Sequence, residues 1–184
     1  TAAEIKDYLN LEFSKYEALY GIKPKETSRE SVRFQVILDT AYQKTGKQVV
    51  VLIDEYDSPL QHSWKTPEHE GCTEVYRSVF SVLKLKGNVL RFVFITGITK
   101  FTQISLFSVL NHLTNISFLP QFAPLCGITE EEMTVNFAPE LEALADKMEC
   151  SIEEAHDKLK TYYDGYHFSD ENMTDIYNPF SLLN

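Results

Sequence analysis

Three cysteines, Cys72, Cys126 and Cys150, are too few and too widely spaced for a disulfide or zinc framework, and no two have Cys-x-x-Cys spacing. They read as reduced, buried thiols of a cytoplasmic protein. Histidine is equally sparse in useful patterns: among His62, His69, His112, His156 and His167 no pair has metal-binding helical spacing, and none adjoins a nucleophile. Positive charge is short as well. Seventeen basic residues against twenty-seven acidic ones leave a formal charge of -10, which argues against direct binding to a nucleic-acid backbone. No apolar run approaches the length needed to span a bilayer, and the residues after Thr1 resemble neither a secretion signal nor a transit peptide. The chain begins as if cut from a longer one. Internal repeats and low-complexity tracts are absent too.

The most informative stretch is Val49-Val50-Val51-Leu52-Ile53-Asp54-Glu55-Tyr56-Asp57. Five apolar, mostly β-branched residues fit a strand inside a parallel sheet covered on both faces, and α/β sheets bind ligands at the carboxyl ends of such strands. Two adjacent acids in that place have the form of a Walker B motif. Asp54 is placed to hold Mg2+, usually through water, and Glu55 to orient and polarise an attacking water. The plainer alternative is a buried strand that ends in an acidic turn.

Around this strand the pattern alternates between helix and strand. Ile5, Leu9, Phe13 and Tyr16 predict an amphipathic helix over 3–20, stopped at Gly21. Thr27 and Glu30 have capping-box spacing for a second helix reaching Gly46. The segment 58–71, with two prolines, two histidines and the sole tryptophan, reads as a long surface loop. A helix from Thr73 to Lys86 leads into a second apolar strand, Val89–Ile95, which delivers Thr96-Gly97. A hydroxyl there is where many P-loop ATPases keep the polar sensor of the γ-phosphate; the alternative is a simple Thr-Gly turn. Residues 103–113 look helical and Asn115–Leu119 looks like a short strand. Beyond them the pattern turns helical: Thr129 with Glu132 and Ser151 with Glu154 have capping spacing, Pro139 opens a helix, and Asn178-Pro179 caps a last one. The aromatics Tyr162, Tyr163, Tyr166 and Phe168 read as core of this helical part.

Three separated pieces resemble the bacterial AAA-ATPase-like family: VVVLIDEYDSPL at 49–60, FVFITGITKFTQISLFSVLNHLTNIS at 92–117, and YYDGYHF followed by YNPFSLL near the end. The resemblance implies an α/β fold, part of an ASCE-type P-loop NTPase with a parallel sheet flanked by helices, over 1–125, and a small helical lid over 126–184. It implies ATP and Mg2+ as ligands, hydrolysis within a larger bacterial protein, and often a fused or associated nuclease or other effector. By position, Asp54 inherits the metal role, Glu55 and Thr96 the catalytic ones, and Asp57 a supporting acidic one near the cofactor. Lys100 is carried over as a phosphate-facing cation, with a solvated loop lysine as the alternative.

One expected piece is missing. No Gly-x-x-x-x-Gly-Lys-Ser/Thr occurs, and Gly46-Lys47 continues into Gln48. Such a loop supplies the N–H groups, lysine and hydroxyl that neutralise phosphates and hold the metal. Without it the acids would face a polyanion unaided, so the 184 residues alone are expected to be inactive, and missing strands would leave open sheet edges through which molecules could pair. Two alternatives stand beside the ATPase reading: a non-hydrolysing nucleotide sensor or protein-interaction scaffold, and a metal-binding cluster of Asp54, Glu55 and Asp57. Strand alternation, which sends Asp54 and Glu55 to opposite faces, weighs against the cluster.

Overall fold

The computed structural model describes residues 1–23, 28–98, 112–163, 165–169, 171 and 174–183. They form a mixed α/β structure in two compact units, Thr1–Thr114 and Asn115–Asn184.

In the first unit, helix α1 spans Ala2–Tyr20 and α2 spans Glu30–Thr45; each ends on a glycine, Gly21 or Gly46, in the left-handed conformation that a Cβ disfavours. The residue capping α2 is Arg29, so Glu30 opens the helix instead of closing a box with Thr27, which lies outside the described residues. Strand β1, Val49–Ile53, pairs in parallel with β2, Leu90–Ile95, and an irregularity after Val49 sets Val50 opposite Phe92 and Ile53 opposite Ile95.

The expected surface loop at 58–71 is largely helical. Helix α3 occupies Ser58–Ser63 and α4 runs from His69 to Leu85. Pro59 sits in the first turn of α3, where a missing N–H does no harm, and Leu60 is wholly buried beneath it. Polar composition concealed one inward apolar residue. The inner face of α4, through Cys72, Val75, Val79, Phe80, Val82 and Leu83, meets α1, α2 and one face of the sheet.

That sheet differs from the expected one in its covering. Val51, Ile53, Val93 and Ile95 pack inward, whereas Val50 is 51%, Leu52 70% and Phe92 53% exposed. Two parallel strands with one bare apolar face depart from the rule that parallel sheets are buried on both sides.

In the second unit, β3, Ile128–Thr129, pairs antiparallel with β4, Ile176–Tyr177, and α5, α6, α7 and α8 span Glu130–Asn136, Ala138–Met148, Ile152–Tyr163 and Pro179–Leu183. Both predicted capping boxes form: Glu132 accepts from the Thr129 N–H at 2.9 Å, and Glu154 from the Ser151 N–H at 2.9 Å. Asn178 accepts from the Ser181 N–H at 3.1 Å, the predicted cap of α8. The expected strand at 115–119 is instead a turn. The Asn115 side chain takes the Ser117 N–H at 3.0 Å, a local bond that competes with a ladder. The core is Met133, Leu141 and Tyr177, with Tyr163 packed against it, while Tyr162, Tyr166 and Phe168 are exposed. Cys72 is buried as expected, but Cys126 is exposed and Cys150 only half-buried; all three are free.

Candidate functional site at the strand ends

Both parallel strands end at the same level, and their exit loops are laced together by the backbone. The Thr96 N–H donates to the Ile53 carbonyl at 2.9 Å, and the Tyr56 N–H donates to the Thr96 carbonyl at 3.0 Å. These two bonds extend the ladder one step past the strands. They bring Thr96 beside Asp54, and the Thr96 hydroxyl donates to Asp54 Oδ1.

The same carboxylate oxygen accepts the Glu55 N–H at 2.9 Å. Glu55 has a φ of 49°, in the left-handed region, where a residue with a Cβ carries a strain of about 1 kcal/mol. The turn is held by the Asp54 contact and by the Ser58 N–H, which donates to the Glu55 carbonyl at 3.0 Å. The side chains of Asp54 and Glu55 are both exposed, and Thr96 is half-buried. Two acids and a hydroxyl therefore stand at the carboxyl end of a parallel pair, where α/β sheets place ligands.

Asp57 points the other way. It is 1% exposed, accepts from Gln61 Nε2 at 2.5 Å, and accepts from the Ile98 N–H at 3.3 Å. Lys100 lies outside the described residues. The strand ends thus gather Asp54, Glu55 and Thr96, and draw Asp57 beneath them. Sequence reasoning missed the parts that Gly97 and Gln61 play here. A Gly directly after Thr96 was the one available signal, since a residue with no Cβ at a strand exit often marks close packing.

No three His, Cys, Asp or Glu side chains converge on a common point among the described residues, which removes support for a self-sufficient metal cluster. The donor set fits a different demand. One exposed carboxylate beside a hydroxyl is suited to Mg2+, which is held by one or two carboxylates, water and phosphate oxygens more often than by an all-protein cage.

A second polar group lies in the helical unit. Glu130 accepts from the buried Tyr177 hydroxyl at 2.7 Å, and its other oxygen is 2.9 Å from His156 Nε2. This group anchors Tyr177, which is fully buried in the unit's core, a structural task. Among the described residues no helix is long and apolar enough to cross a membrane.

A family model described as Predicted AAA-ATPase matches residues 1–107. The chain is also similar to an uncharacterized protein in the vnfD 5' region of Azotobacter chroococcum mcd 1, at 36% identity over 159 residues; the match covers 85% of this chain and 28% of that protein. The chain therefore spans little more than a quarter of that relative's length. No solved structure matches.

Proposed function

Because the chain belongs to the predicted AAA-ATPase family, we propose that it is the strand-end half of an ATP-hydrolysing module whose phosphate loop is supplied by polypeptide outside these residues. The observation that carries the reading is the Thr96 hydroxyl on Asp54 with Glu55 turned outward beside them. In this reading Asp54 would hold Mg2+, which would supply charge neutralisation on the phosphates. Glu55 orients the water for in-line attack, and Thr96 senses the γ-phosphate.

Two features support an outside phosphate loop. The exposed acids repel a polyphosphate, each close like-charge contact amounting to about 1 kcal/mol or more in a partly screened site. The exposed face carrying Val50, Leu52 and Phe92, on a sheet that has two strands among the described residues, is what a parallel sheet looks like when part of its covering is missing. These same features favour the second reading, a nucleotide-sensing or protein-interaction scaffold, in proteins that lack a phosphate loop altogether. Equilibrium dialysis with ATP and Mg2+, run beside an assay of phosphate release, separates the two, because a sensor binds ATP without turning it over. The full-length protein is expected to bind and hydrolyse ATP, and the 184 residues alone to do neither; full-length protein that binds no ATP would overturn the ATPase reading.

A further inference from the structure

Asp57 is a carboxylate sealed from water one turn away from two exposed acids, and its partners explain why. Gln61, one helical turn along α3, donates to Oδ2. From the other strand's exit loop, the Ile98 N–H donates to Oδ1. Between them lies Gly97: a Cβ built there would fall 2.5 Å from Asp57 Oδ1 and 2.6 Å from two ring atoms of Tyr56, closer than any side chain tolerates. The loop after β2 is therefore pressed flat onto the loop after β1, with glycine as the only residue that fits without a shift. The contact begins one residue past Thr96.

We propose that Asp57 and Gly97 form a positioning latch that fixes the two strand-exit loops in register and so holds the Thr96 hydroxyl against Asp54. The proposal rests on the ATPase reading of Asp54, Glu55 and Thr96 and adds a residue that touches neither nucleotide nor water. Burying a carboxylate costs free energy that hydrogen bonds from neutral donors only partly offset, so its use here is geometric. Displacements of about 1 Å at a reacting centre reduce rates by up to about a hundredfold, while binding of the rest of the substrate is little changed.

The test is steady-state ATP hydrolysis by the full-length protein and its Asp57→Asn, Gly97→Ala, Gln61→Leu and Thr96→Val variants, with Glu55→Gln as control. The latch predicts that Asp57→Asn and Gly97→Ala lower kcat by about tenfold or more while KM for ATP stays within about twofold. It also predicts that Asp57→Asn adds nothing to Thr96→Val, because both act through one hydroxyl. Gln61→Leu removes one donor at an exposed position, keeps the fold, and is expected to lower kcat in the same direction. Wild-type kcat in Gln61→Leu and in whichever other latch variants fold, with Glu55→Gln inactive, overturns the latch alone; so does a double variant impaired by the product of the single effects. Wild-type turnover by Glu55→Gln overturns the catalytic reading and the latch with it.

Discussion

Arg33 grips Glu17 with two parallel hydrogen bonds, Nε to Oε1 at 2.8 Å and Nη2 to Oε2 at 2.6 Å, and both side chains are nearly buried between α1 and α2. The guanidinium also reaches Ser14 Oγ at 3.1 Å and lies over the Phe13 ring, which itself stacks on Phe34. Removing one partner strands the other's charge. Glu17→Gln is expected to destabilise the fold by about 3 kcal/mol in urea unfolding, and replacing both residues by methionine to recover most of that loss. A change below about 1 kcal/mol for Glu17→Gln would show that the pair is solvated after all.

Tyr76, packed beside the first unit's core and stacked on Phe80, has its phenol pushed well above the ordinary value of 10.0, first by burial and then by the negative charge of Asp57. In the unfolded chain the proton leaves at the ordinary value, while the folded chain retains it. The associated stability is fully present below that value and is lost as pH climbs toward the folded one. Unfolding free energy should fall between about pH 9 and about pH 11, and Tyr76→Phe should flatten that slope. An identical slope in the variant would assign the loss to other groups.

On the acid side the two capping boxes act in the opposite sense. Backbone and hydroxyl donors of Thr129 hold the Glu132 carboxyl below its usual range, and those of Ser151 do the same for Glu154. Their contribution is present above the ordinary value of 4.5 and disappears as pH falls through the depressed one. Far-ultraviolet circular dichroism followed through this range should show wild type starting with more helix than the Glu132→Gln and Glu154→Gln variants and losing that excess as pH falls, so that the curves converge in acid, because the variants' caps no longer titrate. Coincident curves would contradict the assignment.

The bare sheet face gives a differential test. Leu52→Glu should alter the stability of the 184 residues alone by no more than about 0.5 kcal/mol, since Leu52 faces solvent there. In the full-length protein, where the module's remaining polypeptide is expected to cover that face, the same change should destabilise by about 2 kcal/mol or more. Equal, small effects in both settings would mean that nothing covers the sheet.

What the sequence disclosed follows from how locally each feature is encoded. Capping boxes at Thr129 and Ser151 and the glycine stops after α1 and α2 depend on residues within one turn of each other, so spacing alone reveals them. The strand carrying Asp54 and Glu55 was legible because an apolar β-branched run has few other uses. Helix α3 was not, because its single inward apolar residue, Leu60, gives no hydrophobic periodicity in six residues. Neither was the bare face, since Val50 and Leu52 look the same in sequence whether or not anything covers them. The site was half legible: Asp54 and Glu55 sit in one motif, but the inward turn of Asp57 depends on Gly97 and Ile98, some forty residues away along the chain.

The proposed function turns on Glu55, held outward at the end of β1, activating the water that cleaves ATP. Its most direct measurement is ATP binding and hydrolysis, side by side, in the full-length protein and its Glu55→Gln variant. The variant is expected to bind ATP with an affinity close to wild type while hydrolysis falls by about a hundredfold or more. Hydrolysis at the wild-type rate in the variant would contradict it.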